Sequence, residues 1–256
     1  MLFTPLIAAA ILATSTVAAP TNPSTSACST QATATATAIS STAAAGGLSL
    51  TAQLTLADTA VDRFALLAKD SDFLFTFDDA TKKGKGGKGG DLIAANRKTF
   101  PALVGTGAGM AVGFLGACGF NTPHVHPRSV ELQIVTQGRL VTEMVPENGV
   151  VGADGKRRVI RNTINPNQMT PFYQGSVHTQ FNPDCTPATF VAAFNSEDFG
   201  AGQIPDELFA MSNDVLQAAF GQAVAGEEVD KFRAAIPASI ALGVEECLKT
   251  CGIAKK

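Results

Sequence analysis

The 256-residue chain has no tryptophan, a single tyrosine and only three histidines. Without indoles, and with Tyr173 as its one phenol, it offers no aromatic platform of the kind on which sugars stack. Charge is scarce as well. The 19 basic and 22 acidic side chains leave a net charge of -3, so no positive excess exists to attract nucleic acid, an anionic membrane or a phosphate-rich ligand. No apolar run reaches the roughly 20 residues that a bilayer span requires. The Gly- and Lys-rich stretch 82–90 lacks the Lys-Ser/Thr pair of a phosphate loop and reads as a solvated loop. Its one Asn-x-Ser match, Asn22-Pro-Ser24, is blocked as a glycosylation site by its proline. There is no tandem repeat.

What is present is enough to bury a core, since 45% of the residues are hydrophobic. Residues 1–19 carry no charged side chain; an apolar run over 6–13 precedes Thr16-Val-Ala-Ala19, which reads as a secretory signal peptide. Residues 20–47 are almost wholly Ser, Thr, Ala and Pro and read as a flexible leader suited to O-glycosylation. The expectation is a secreted, extracellular protein associated with a cell wall.

Helical spacing of Leu54, Leu56, Val61, Phe64 and Leu67 predicts one short packing helix over 50–69, and Phe73-Leu-Phe-Thr-Phe77 reads as a strand. Short β-rich runs follow at 92–95, 110–115, 130–136, 140–145, 159–164, 177–182 and 189–194, punctuated by Gly, Pro and Asn. Closely spaced strands without intervening helices argue for an all-β sandwich or barrel over 48–200. Beyond Phe199 the pattern becomes Ala-rich with helical period, predicting helices over 206–211, 213–220, 227–235 and 238–250 in a C-terminal segment spanning 201–256.

All three histidines fall in one pattern. His124 and His126 stand at i and i+2, so on a strand both imidazoles leave the same face as a pincer. Glu131 lies five residues past His126, on the opposite face of any continuous strand, so Pro127-Arg-Ser129 must bend the chain to bring it in. His178 comes from a distant strand. Three neutral imidazoles and one carboxylate suit a divalent transition metal (Mn, Fe, Zn, Cu or Ni), whereas Ca or Mg would want oxygen throughout. Four protein ligands in an octahedral shell leave two positions for a small-molecule ligand.

These residues resemble the germin-like and spherulin-type cupins. Gly119, His124, His126, Glu131 and Gly138 fit the first cupin motif, with a spacer one residue short; Gly175, His178 and Asn182 fit the second, with Tyr173 at its proline position. The resemblance, running from about Phe73 into the C-terminal helices, implies a β-jelly-roll barrel holding a metal, most often manganese, on His124, His126, Glu131 and His178. It also implies homo-oligomers clasped by their C-terminal helices.

In oxalate-oxidising germins one substrate-positioning Asn stands three residues before the first ligand histidine, which Asn121 matches. A second stands ten residues earlier, where this chain has Ala111. Gln133, on the same face as Glu131, occupies a position that is glycine in cereal germins, and would narrow the pocket or donate a hydrogen bond. Asn121 and Gln133 are thus the candidate catalytic residues. The implied activity is that of a manganese oxidoreductase acting on dioxygen, superoxide or a small carboxylate. The alternative is a structural or stress-associated wall or spore protein that keeps the metal. A closed metal shell would favour the second, and a reachable one lined by a polar group the first.

Five cysteines complete the inventory. If the pincer strand runs antiparallel to the His178 strand, as the jelly roll implies, the sum 118 + 185 falls between 124 + 178 and 126 + 178. That register predicts a Cys118–Cys185 disulfide. Cys247 and Cys251, four apart on a helix, are poorly placed to bridge each other, leaving Cys28 to tie the leader to one of them.

Overall fold

The computed structural model describes residues 47–78, 88–237 and 239–254, all within the unit that spans Ala45–Lys256. The expected signal peptide, all but the last residue of the expected leader, including Cys28, and residues 82–87 of the Gly- and Lys-rich stretch lie outside the described residues.

Two helices open it. α1 (Leu50–Leu56) is capped by the Ser49 hydroxyl, which accepts from the Ala52 amide, and α2 (Ala60–Leu66) starts afresh at Thr59. The expected single helix is therefore divided. Thr59 and Asp62 form a reciprocal capping box that satisfies the backbone donors of a new N-terminus, a stronger local signal than the continuous apolar spacing. The expected strand at 73–77 is also absent: Asp70–Phe73 is a 3-10 turn, and Phe75 packs its ring on Phe77 and Phe100. Alternating phenylalanines here serve side-chain packing.

The barrel is built from β1 (Gly90–Ala95), β2 (Gly109–Leu115), β3 (Gly119–Val125), β4 (Glu131–Gln137), β5 (Leu140–Val145), β6 (Ile160–Ile164), β7 (Met169–Phe172), β8 (Val177–Phe181) and β9 (Ala188–Phe194). Two short strands are added by the C-terminal segment, β10 (Gly202–Gln203) and β11 (Ile240–Leu242). One sheet has the order β1-β2-β9-β4-β7 and the other β10-β3-β8-β5-β6, with β11 on the edge of β3; every pairing is antiparallel. Leu115, Val135 and Phe190 of the first sheet meet Leu140, Ile164 and Ile240 of the second in one apolar core, giving the jelly-roll barrel. Gly138 makes the β4–β5 hairpin with φ of 69°, and a Cβ there would crowd Ala188.

The C-terminal segment is partly as expected. α3 (Ile204–Phe209), α4 (Asn213–Ala219) and α5 (Gly226–Ala235) follow one another, and the Phe209 ring lies against Phe220 and Phe232. The helix expected over 238–250 is instead β11 followed by α6 (Glu245–Thr250), because the open edge of β3 takes Ile240, Ala241 and Leu242 as partners for Asn121, Phe120 and Gly119.

The expected Cys118–Cys185 bond does not form. Cys118 bonds Cys247 and Cys185 bonds Cys251, so two consecutive turns of α6 are stapled to the barrel. Two features defeat the register sum. The β3–β8 register shifts between Asn121 and His124, and strand pairing ends at Phe120–Phe181. Beyond it Asn182 turns the chain, its side chain donating to the carbonyls of Gly116 and Thr186 and accepting from the Asp184 amide. Cys118 still comes close to this turn, its amide donating to Asp184, but α6 supplies the sulfur partners.

Candidate metal centre

The pincer and its partners come from both sheets. β3 presents His124 and leads directly into His126; β8 presents His178, paired with His124 across the sheet; β4 of the facing sheet presents Glu131. The bend expected at Pro127-Arg-Ser129 thus carries the chain from one sheet to the other. Asn195 holds it, its Oδ1 accepting from the Ser129 hydroxyl and the Val130 amide, while Arg128 donates to the Asp198 carbonyl.

All four residues are buried, at 5% exposure or less, with their ligand atoms within 4.8 Å of one another. A backbone carbonyl holds each ring. His124 Nδ1 lies 2.8 Å from the Thr122 carbonyl, His126 Nδ1 2.6 Å from that of Gly200, and His178 Nδ1 2.9 Å from that of Ser176. A carbonyl only accepts, so each Nδ1 carries a proton and Nε2 is the nitrogen that each ring turns inward, free to hold a metal ion or a second proton. Phe172 stacks on His178 at 4.3 Å, and Phe194 meets His126 edge-on at 4.8 Å, closing the apolar side of the cluster.

Glu131 Oε2 sits 2.9 Å from His126 Nε2 and 3.2 Å from His178 Nε2. Lone pairs facing at this separation need a cation between them, either a proton or a metal ion. The electrostatics of the metal-free cluster show how strongly its groups interact. His124 is pushed from 6.5 down to about 3, by burial first and then by repulsion from His178 and His126, against the pull of Glu131 and the Thr122 carbonyl. For Glu131 burial is the largest influence and raises the pKa, but hydrogen bonds from His126 and His178 and the nearby imidazole charge outweigh it, bringing it from 4.5 to about 2. One anionic oxygen and three imidazole nitrogens are the donor set of a borderline divalent transition metal, and the residues fit such an ion.

A cavity of about 310 Å³ opens onto this cluster. Its wall includes Asn121, His124, His126 and Glu131, apolar residues such as Ala111, Ala192, Phe194 and Phe199, and no lysine or arginine. Asn121 is buried in that wall and donates from Nδ2 to Gln180 Oε1 at 3.0 Å; Gln180 in turn donates from Nε2 to Glu131 Oε1 at 3.4 Å. Because a carboxylate only accepts, Glu131 sets the direction of the whole chain and so the orientation of the Asn121 amide. Gln180 was not among the expected site residues. Its signal was available: two residues past His178 on a strand, it shares that ligand's face. Gln133 is fully buried next to the site, and neither its Oε1 nor its Nε2 has a hydrogen-bond partner.

The cupin family model matches residues 79–230. Spherulin-1A of Physarum polycephalum is 34% identical over 203 residues, 79% of this chain and 79% of the spherulin. Germin-like protein 12-2 of Oryza sativa subsp. japonica is 35% identical over 145 residues, 55% of this chain and 61% of that protein. Among solved structures, an oxalate oxidase in complex with glycolate superposes with a TM-score of 0.56 at 24% identity, covering 65% of this chain and 82% of its own. That likeness concerns the fold, which the same comparison finds at a TM-score of 0.57 and 13% identity in procruciferin, the 11S globulin of Brassica napus, covering 66% of this chain and 42% of the globulin.

Proposed function

The chain belongs to the cupin family, with the spherulins and germin-like proteins as relatives, and from that membership we propose that it is a secreted manganese oxidoreductase acting on dioxygen, superoxide or a small carboxylate. The observation that carries this reading is the tautomer lock. Three backbone carbonyls hold the Nδ1 atoms of His124, His126 and His178, so three Nε2 lone pairs and the Glu131 carboxylate converge in a buried place that only a cation makes favourable. Manganese or iron bound there would supply the redox couple that no side chain of the site possesses.

The surroundings favour turnover over a purely structural ion. The cluster borders a cavity, and Asn121 lies in its wall with an amide whose orientation is held from behind by Gln180. Charge limits what enters. Three neutral imidazoles and one carboxylate reduce a divalent cation to a net charge of +1. The wall adds no basic side chain, and Asp198 at the cavity is paired with Arg128. A neutral molecule or a small monoanion is matched by that balance, whereas a dianion would carry an uncompensated charge into an apolar pocket. Ala111, where a second amide would face a carboxylate, adds to the case against efficient oxalate oxidation.

Secretion is supported by the charge-free opening segment and by two disulfides among the described residues, which persist in oxidising compartments. The test is metal analysis of protein purified from its natural host, with superoxide consumption and acid-dependent oxygen uptake measured on the same sample. We expect about one manganese ion per chain and activity that His178→Ala abolishes. Stoichiometric metal without turnover in either assay would assign the chain to the structural reading instead.

A further inference from the structure

Four cysteines meet where α6 docks. Cys247 and Cys251 stand one turn apart at the end of that helix, and each reaches a different cysteine of the barrel, Cys118 just before β3 and Cys185 in the turn after β8. The two bonds also lie close to each other. The sulfurs of Cys118, Cys247 and Cys251 are all within 4.8 Å of one another, and Cys247 Sγ is 3.9 Å from Cys251 Sγ. A tetrahedral ion with sulfur ligands at about 2.3 Å sets them about 3.8 Å apart. The unbonded pair on α6 already has that spacing, at the i, i+4 offset by which helices present two ligands on one face. Opening the other two pairs to it requires rotation about cysteine χ1, which Cα separations of 5.7 and 5.3 Å permit. Cys185 is exposed and Cys251 half-buried, so a reductant meets their bond before the buried Cys118–Cys247 bond.

We propose that these four residues form a second, sulfur-only metal site for a soft tetrahedral ion of the zinc class, present when both disulfides are reduced. Each disulfide takes two electrons and two protons from two thiols of the reductant and becomes two cysteine thiols, the reductant leaving as its own disulfide. The four thiols then release four protons as one divalent ion binds four thiolates. Protons compete strongly at Cys247, which as a thiol can donate to the Pro183 carbonyl at 3.3 Å, so affinity climbs with pH. Four sulfurs favour zinc over manganese, the opposite bias to that of a carboxylate-containing shell. The ion takes over the work of the two covalent bonds: it ties α6, and β11 before it, to the barrel, so that the pairing of β11 with β3 outlasts reduction.

The test uses the full chain with Cys28→Ser, so that no fifth thiol contributes, reduced by a water-soluble phosphine that supplies no sulfur. Cobalt(II), a visible substitute for zinc, is titrated in, and a thiolate-to-cobalt charge-transfer band reports sulfur ligation that the histidine cluster cannot produce. The reduced chain should develop that band, saturating with one more cobalt than the oxidised chain takes up, and zinc should bleach it. The oxidised chain should show no band, nor should a variant with Cys118, Cys185, Cys247 and Cys251 all replaced by serine. Zinc should also raise the thermal midpoint of the reduced chain by more than that of the oxidised chain, whose histidine cluster gives the baseline. Absence of the band from the reduced chain overturns the proposal, as does its presence in the four-serine variant. A band without the additional rise in midpoint overturns it too, because thiols of unfolded chains would then have taken the ion. The oxidised chain is a folded control, so the comparison stands even where the serine variant fails to fold.

Discussion

The two disulfides on α6 permit a quantitative prediction, because each closes a long loop. Cys118–Cys247 spans 129 residues and Cys185–Cys251 spans 66. Chain-entropy estimates for loops of these lengths are about 5 and about 4 kcal/mol at 25 °C. The sites differ in burial too: Cys118 and Cys247 are buried with Leu248 against Leu242 and Ile253, whereas Cys251 is partly open. Replacing Cys118 and Cys247 together by serine should therefore lower the guanidinium midpoint more than replacing Cys185 and Cys251. Removing all four should cost more than the sum of the two pair replacements, since either bond alone still docks α6. The loss should reach the metal site. The Ser239 carbonyl accepts from the Thr122 amide, the next residues pair with Asn121, and Thr122 in turn orients His124. Metal release by a chelator should accelerate in the four-serine variant. Peptide mapping without reduction should recover the peptides of Cys118 and Cys247 as one linked species. A linked Cys118–Cys185 pair, or an unchanged midpoint in the four-serine variant, would refute the reasoning.

Acid should destabilise the metal-free protein: His124 at about 3 and Glu131 at about 2 both lie below their ordinary values, so the unfolded chain takes up protons first. Their stabilisation is whole above about pH 6.5 and is lost as pH falls, that of His124 from there to about 3 and that of Glu131 between 4.5 and about 2. Urea unfolding after chelation should thus show lower stability at pH 5 than at pH 7.5, and the reverse order would contradict the assignment. Alanine at His124, His126 or His178 should each reduce bound metal to a small fraction, and Glu131→Gln should weaken it by removing the anionic donor; unchanged stoichiometry in all four variants by mass spectrometry would sink the site. The native protein should be an oligomer joined by its C-terminal helices, where Met211, Val215, Phe220 and Phe232 are exposed; Phe220→Asp with Phe232→Asp should lower the solution mass, and a native chain already monomeric by light scattering would exclude this.

The barrel was legible wherever one face of a strand meets the core and the other meets solvent or the partner layer. Leu140–Val145 and Ala188–Phe194 show this, lying within a residue of where alternation and β-branched content place them. The failures have separate physical causes. β7 escaped notice because Pro171 interrupts it, and it tolerates proline because it stands at the edge of its sheet. β11 reads as helix by composition; it is a strand because β3 had an edge to cover, a long-range demand that no local pattern records.

The site divides along the same line. The i, i+2 pincer and the proline bend are local, so the convergence of His124, His126 and Glu131 could be argued from spacing, with His178 added by elimination in a chain with three histidines. What fixes the chemistry is contributed only by backbone: Ser176 for His178 from two residues upstream, and from far along the chain Gly200 for His126 and Ser239 behind Thr122 for His124. Backbone carbonyls have no sequence signature, so the tautomer lock was invisible. The cysteine register failed for a related reason. A sum rule assumes an unbroken ladder, and a bulge inserts one extra residue between Asn121 and His124, the interval that the arithmetic crossed. That bulge has a functional consequence. Without it Asn121 and His124, three apart on one strand, would point to opposite faces; with it both turn inward, and the amide enters the same cavity as the histidine.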